Sequence, residues 1–321
     1  MLPIKRGLKI ILKMIAERKP TVLITGGSGM IGMHLTSALL SAGYNVSHLS
    51  RGQEQFGKVR VFRWDPERGI LDPKAFIGTD HIVHLAGVNI GERRWTERRK
   101  EEIRKSRIDS ASLIHKIIRE NGLKINTFIS ASGISYYGTL TSDKIFTEND
   151  PPAADFLGNI CREWEEAADL FAKDGIRTVK IRSAVVLEKD DIAMTRITMP
   201  ARFGFLGQAG NGRQYMPWIH IKDLCNIYLK SIEDQEMKGA YNAVSTQDVT
   251  HKEFIKTLSS VIKRPVFPVA VPALLLKILF GDMADLVLKG SRVSSEKILN
   301  AGYEFEFSDI SKAIGDILNR L

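Results

Sequence analysis

The sequence predicts an α/β fold: a doubly wound parallel sheet, a smaller mixed α/β substrate lobe and a helical C-terminal segment. Three observations predict it. Short apolar runs alternate with helical periodicity as far as Leu187. The first run stops at glycines that open a helix. Beyond 187 the alternation loosens. Thr21–Thr25 is apolar and β-branched and reads as a buried strand. Ile31, Leu35, Ala38, Leu39 and Ala42 then share one face of a helix over 30–42, which Gly43 ends. Asn45–Ser50, Val59–Asp65, His81–Gly87 and Thr127–Ser132 read as the next strands, and Thr178–Leu187 as one more. Long helices are expected over Thr96–Asn121 and Asp155–Lys173. Strands alternating with helices imply parallel pairing, and right-handed crossovers put helices on both faces.

Four segments follow: a basic extension over 1–20, a nucleotide-binding domain over 21–187, a substrate-side lobe over 188–263 packed on it, and a small helical domain over 264–321. A loop rich in Gly, Gln and Asn runs from Phe203 to Gln214. Pro265, Pro268 and Pro272 mark the start of the last segment. The chain of 321 residues, 44% hydrophobic, suffices for one large α/β domain with a lobe. No apolar run approaches the roughly 20 residues of a membrane span. Cys161 and Cys225 lie far apart and suggest neither a disulfide framework nor zinc, so a reducing cytoplasm is the default. No histidine pair has ligand spacing, and no metal is expected.

The net charge of +9 is localised. Residues 1–20 hold six Lys/Arg against one Glu, and residues 93–107 hold eight against three. Nucleic-acid binding would want a broad basic face with exposed aromatics, so it is not expected. In the tail, Leu8, Ile11, Leu12 and Ile15 alternate with Lys5, Arg6, Lys9 and Lys13. That pattern fits a membrane-surface or partner helix; a simple N-terminal extension is the plainer reading. No small-residue cleavage site follows, so a secretory signal is not expected.

Gly26-Gly27-Ser28-Gly29-Met30-Ile31-Gly32 lies between the first strand and its helix, the setting of a Rossmann dinucleotide fingerprint. Gly26 permits the sharp turn. Gly29 lets the backbone approach a pyrophosphate, and Gly32 lets helix and sheet pack closely. The helix start presents free N–H groups and a positive dipole end. Gly26, Ser28, Gly29, Met30, Ile31 and Gly32 are therefore the expected cofactor contacts. Where NAD enzymes place a carboxylate for the ribose 2′-hydroxyl, this chain has Ser50-Arg51. Arg51 can pair with a 2′-phosphate, which favours NADP(H) over NAD(H). Asp65 can accept from an adenine amino group or cap the turn that follows. Leu85-Ala86-Gly87 ends a strand at the edge where such sheets bind ligands.

On these residues the chain resembles the extended short-chain dehydrogenase/reductases, through ITGGSGMIG at 24–32, HIVHLAG at 81–87, FISASGISYYG at 128–138, VKIRSAVVL at 179–187 and WIHIKDL at 218–224. It is similar, more narrowly, to their atypical, NAD-dependent epimerase-like subgroup. That likeness rests on RRWTERRKEEIRKSR at 93–107, DFLGNICREWE at 155–165, NGRQYMPWIHIKDL at 211–224 and GDMADLVLKGSRVSSEKILNAGYEF at 281–305, which resembles the subgroup's small C-terminal domain.

The resemblance implies a nicotinamide cofactor and, in ordinary members, a Tyr-x-x-x-Lys pair. Aligned on Glu165, the Tyr position holds Leu157 and the Lys position Cys161. The helper serine survives as Ser132, and the usual Asn is Arg107. The acid/base candidates left are Tyr136, Tyr137, Cys161, His220 and Asp223, with His220 read as structural and Asp223 as a helix cap. Cys161 would be reactive if Arg107 converged on it and lowered its pKa; a small buried core residue is the plainer reading. Arg94, Trp95, Arg213 and Gln214 are the candidate substrate contacts. The expected reaction passes a hydride between nicotinamide and the carbonyl or alcohol carbon of a small or nucleotide-linked substrate, Ser132 polarising the oxygen and Tyr137, Cys161 or bound water transferring the proton. The alternative is a non-catalytic NADP(H)-binding redox sensor or assembly partner. The oligomeric state is open, a homodimer being one option.

Overall fold

The computed structural model describes residues 18–52, 57, 59–189, 191–198, 206–263 and 270–319. Residues 1–17, which hold the amphipathic part of the tail, lie outside them. The strands are β1 (Thr21–Thr25), β2 (Asn45–Ser50), β3 (Arg60–Asp65), β4 (Ile70–Leu71), β5 (His81–His84), β6 (Thr127–Gly133), β7 (Ser142–Phe146), β8 (Arg177–Ser183), β9 (Val185–Leu187), β10 (Trp218–His220), β11 (Gly239–Ala243) and β12 (Ser291–Val293). Eight of them form one sheet in the order β11-β8-β6-β5-β1-β2-β3-β4. Its pairings are parallel except that of β4 with β3. Order reverses beside β1, the switch point where open α/β sheets bind ligands.

Alternation along β1 makes the sheet two-sided. Val22 and Ile24 face a core shared with α1 (Met30–Ser41), while Leu23 faces the opposite core. The second core is built on α2 (Glu97–Glu120) and α3 (Phe156–Lys173), where Phe128 and Phe171 stack 3.6 Å apart. Thr96 caps α2 and Asp155 caps α3, each accepting from a backbone N–H at the third helical position.

After α4 (Ile192–Thr198), α5 (Ile221–Glu233) joins α1 on the first face. A third cluster gathers Leu187, Trp218, α6 (His251–Ile262) and the last helix. Four more helices complete the chain: α7 (Ala273–Phe280), α8 (Asp285–Leu288), α9 (Glu296–Asn300) and α10 (Ile310–Asn319).

Two strand expectations need correction. The run Thr178–Leu187 is two strands, because the chain leaves the main sheet at Ala184. Its N–H donates to Ala243 O at 3.0 Å, and β9 then pairs with β10 in a sheet of their own. The run His81–Gly87 stops pairing at His84, because the N–H of Ala86 goes to the Thr25 hydroxyl instead of a strand. The stretch 188–263 also supplies β11, the outermost strand of the main sheet, and β12 from the C-terminal segment pairs with β7.

Asp223 fastens that segment. Fully buried, it accepts from Tyr303 Oη at 2.7 Å and from the N–H groups of Glu306 and Phe307 at 2.9 and 3.0 Å. It is thus neither a helix cap nor a free base. The cap of α5 is His220, whose Nδ1 accepts from Lys222 N at 3.2 Å while its ring stacks on Phe307.

Candidate nucleotide site at the carboxyl edge of the sheet

The turn between β1 and α1 is shaped by backbone contacts that leave no room for a Cβ. Gly26 has φ +71° and accepts at its carbonyl from Gly29 N at 3.0 Å. A Cβ on Gly32 would lie 2.3 Å from Gly26 O and 2.7 Å from Gly27 Cα. Helix α1 then starts at Gly29 with no side-chain cap and no acidic residue in its first turn, and Ser28 and Gly29 are exposed. Uncapped N–H groups at a helix start are what an anionic phosphate requires. Met30 and Ile31 begin that helix, half-buried.

Two strand histidines hold this turn, and sequence reasoning missed both. Thr36 Oγ1 donates to Gly32 O at 2.7 Å, so it can only accept from His48 Nε2 at 2.8 Å. That places the His48 ring against Gly27, where a Cβ would meet Nδ1 at 2.5 Å. On β5, Ala86 N donates to Thr25 Oγ1 at 3.1 Å. The threonine proton then goes to His84 Nδ1 at 2.8 Å, and Nε2–H turns to Ser110 Oγ at 3.2 Å. Burial pushes His84 down to about 4, so the ring is neutral at pH 7 and works as a relay of hydrogen bonds. The chain Ala86–Thr25–His84–Ser110 thereby ties Leu85-Ala86-Gly87 to α2. The visible signal was a histidine inside each of two apolar strands.

At the end of β2, Arg51 is exposed, and Ser50 Oγ accepts from Gly52 N at 3.2 Å. Asp65 takes the capping alternative: its carboxylate accepts from Arg68 N and lies 3.6 Å from Arg68 Nε.

Arg107 and Cys161 do converge. The Arg107 guanidinium lies against Gly87 and over the Trp164 ring at 5.0 Å, and donates to Val88 O and Ile103 O, both at 3.1 Å. Burial lowers it to about 10, so it keeps its charge at neutral pH. Cys161 sits in the same buried corner, and of the two readings it takes that of a buried core residue. Burial, helped by the charge of Glu165, pushes the thiol up to about 12, and the opposing pull of Arg107 is too weak to reverse this. Leu157 is buried beside it on α3.

Ser132 and Tyr137 belong to a buried network. Ser132 Oγ donates to Glu165 Oε1 at 2.8 Å, which uses its only proton. Glu165 also takes a two-pronged contact from Arg182, Nε at 2.7 Å and Nη2 at 2.8 Å. Arg182 Nη1 donates to Tyr137 Oη at 2.9 Å, and Tyr137 donates to Asn242 Oδ1 at 2.7 Å. Burial raises the Tyr137 phenol to about 12, against the pull of Arg182. The guanidinium also lies 3.5 Å over the ring of Tyr136. Both predicted groups are thus engaged inside the protein. Glu165, Arg182 and Asn242, which engage them, were not among the sequence candidates.

The substrate candidates divide. Trp95 Nε1 donates to Ile90 O at 2.8 Å and its ring meets Phe156 edge-on, so it closes its own loop. Arg94 is exposed and its guanidinium lies against Gly281 of the C-terminal segment. Arg213 is exposed. Gln214 is buried, donating to Ala209 O and Val287 O at 3.1 and 2.7 Å, and is structural rather than a grip on substrate. Among the described residues no group of three side chains could hold a metal ion.

Comparison with known proteins places this arrangement. An epimerase family protein of Mycobacterium leprae is 34% identical over 300 residues, spanning 93% of this chain and 96% of that protein. The model of the NAD dependent epimerase/dehydratase family matches residues 22–156. The chain belongs to that epimerase family. Residues 271–317 of this family member match a further domain, of unknown function, DUF1731. A structure of the human epimerase family protein SDR39U1 (isoform 2) with NADPH superposes with a TM-score of 0.83 at 32% identity, covering 94% of this chain and all of that one. A nucleoside-diphosphate sugar epimerase from Corynebacterium glutamicum gives 0.74 at 28% identity, covering 94% of this chain and 59% of that one.

Proposed function

We propose that this epimerase-family protein binds NADPH at the Gly26–Gly32 turn, and that its site holds the cofactor without the family's tyrosine proton relay. One observation carries the reading: an uncapped, exposed helix start closed by glycines that tolerate no side chain. Arg51 at the end of β2 and the NADPH held by the human relative support the phosphorylated cofactor.

Bound NADPH would supply a hydride to a carbonyl carbon of a small or nucleotide-linked substrate. The chain's own residues do the rest. Gly26, Gly29 and Gly32 admit the pyrophosphate to the backbone, and Leu85-Ala86-Gly87 form a wall fixed by the His84 relay. Arg107 puts the fixed cation that position 161 lacks into the same corner, from α2 instead of α3. The side chains at the family's proton-relay positions are poorly placed to move a proton near pH 7. Leu157 has none to give, Cys161 stays a thiol, and Tyr137 already donates to Asn242. Proton transfer to a substrate would then fall to bound water, and the engaged side chains support the alternative reading, a redox sensor or assembly partner.

Titration with both reduced cofactors, followed by nicotinamide fluorescence, tests the binding. NADPH is expected to bind at least about tenfold more tightly than NADH, one charge-assisted contact's worth. Arg51→Ala should narrow the gap. Equal or tighter NADH binding overturns the reading.

A further inference from the structure

The neighbour of Ser50 across the sheet is Arg63. Strands β2 and β3 run parallel, with His48 opposite Val61 and Ser50 opposite Arg63. Residues paired in register share a face of the sheet, and faces alternate along each strand. The His48 ring lies against Gly27 and bonds to Thr36 on α1. Ser50 and Arg63 therefore stand on the face of α1 and its glycine turn. Their strand neighbours Leu49 and Trp64 bear this out, since both pack in the opposite core. Arg63 is thus one strand spacing, about 4.8 Å, from Ser50, and Arg51 follows Ser50 where β2 ends.

Both arginines are exposed, and among the described residues neither guanidinium is ion-paired or hydrogen-bonded. The arginines that open α2 differ, because Arg98 and Arg99 both pair with Glu102. On β3 itself, the carboxylate of Asp65 is taken by Arg68. Two cations on adjacent strands with no carboxylate between them repel, and an anion seated there relieves this. Ser50 adds a donor. Its Oγ accepts from Gly52 N at 3.2 Å, which leaves its proton for a further acceptor. We propose that Arg63 is a specificity-determining residue that grips the ribose 2′-phosphate of NADPH together with Arg51 and Ser50. This rests on NADPH binding at the Gly26–Gly32 turn. A phosphate monoester carries about −1.5 to −2 charge at pH 7 and offers three acceptor oxygens. One guanidinium leaves that charge about half neutralised. Two match it, and the serine hydroxyl serves the oxygen that remains. NADH brings a neutral 2′-hydroxyl to the same place and leaves both cations without a counter-charge.

Fluorescence titration of the full chain with NADPH and NADH tests this in wild type, Arg63→Gln, Arg51→Ala and the double variant. Competition by adenosine 2′,5′-bisphosphate against 5′-AMP reads the adenosine end alone. Arg63→Gln is expected to weaken NADPH and the bisphosphate about tenfold, one charge-assisted contact's worth. NADH and AMP should change by less than about twofold. In the double variant the NADPH and NADH affinities should converge. Arg63 is exposed, so the melting temperature should hold. Arg63→Lys, which keeps the charge and loses the fork, should lose less than Arg63→Gln and supplies the same test if the glutamine variant melts lower. The proposal is overturned if both Arg63 variants keep wild-type NADPH affinity while Arg51→Ala loses it. It is equally overturned if NADPH and NADH weaken alike in the Arg63 variants. A wild type that binds NADH as tightly as NADPH overturns the NADPH reading itself, and this proposal with it.

Discussion

Gly32→Ala is expected to abolish measurable NADPH binding, a loss of about a hundredfold or more. The new Cβ would stand 2.3 Å from Gly26 O and 2.7 Å from Gly27 Cα. Both are backbone atoms of the turn itself, so the turn must open, and the uncapped N–H groups that follow Gly29 move with it. A hundredfold is about 2.7 kcal/mol of binding. Overpacking at such a contact costs a further ~1–3 kcal/mol of stability. Gly315→Ala is the matching control. It lies within α10, has ordinary φ, and a Cβ there meets nothing within 4 Å. That variant should bind NADPH like wild type and melt no lower, since alanine is the better helix former by ~0.5–1 kcal/mol. Isothermal titration and thermal melting read both effects. Normal NADPH affinity in Gly32→Ala would mean that the phosphates are not held at this turn.

Arg182→Ala should destabilise the protein by about 3–5 kcal/mol, the cost of leaving a buried carboxylate without its partner. Burial by itself would lower the Arg182 pKa; the hydrogen bonds and charge of Glu165 more than reverse this and hold the guanidinium protonated. Its loss removes the two-pronged contact, leaves Glu165 only Ser132 at Oε1 and Lys180 at 3.8 Å from Oε2, and removes a donor to Tyr137. Replacing both partners, Arg182→Leu with Glu165→Leu, should cost much less than the two single changes combined, because no charge then remains buried. Urea unfolding of the four proteins gives the coupling. An additive double variant would mean that the pair is solvated and does not organise the site.

The fold was legible because its signal is periodic. β1, α1, β2, α2 and α3 appear within a residue or two of their expected bounds, since apolar spacing, Gly43, Thr96 and Asp155 mark them. The departure of β9 from β8 into its own sheet, and β12, were not legible. Both strands are three residues long, and the pairing partner of each is distant in sequence. The glycine turn was legible because its neighbours in space are its neighbours in sequence. The Ser132–Glu165–Arg182–Tyr137–Asn242 network spans 105 residues between Tyr137 and Asn242, and no spacing rule reaches that far. Cys161 shows the limit of charge reasoning from sequence. Arg107 does come near, but burial outweighs it, and only the structure weighs the two against each other.

Holding a nicotinamide cofactor without a tyrosine relay is tested most directly by comparing Tyr137→Phe and Cys161→Ala with wild type. NADPH binding and NADPH oxidation would be measured against a panel of carbonyl compounds and nucleotide sugars, normalised to the folded fraction. The expected result is stoichiometric NADPH binding in all three proteins, within about twofold in affinity, and no oxidation rate that depends on Tyr137 or Cys161. A wild-type rate that falls by about a hundredfold or more in Tyr137→Phe, with binding intact, would contradict it.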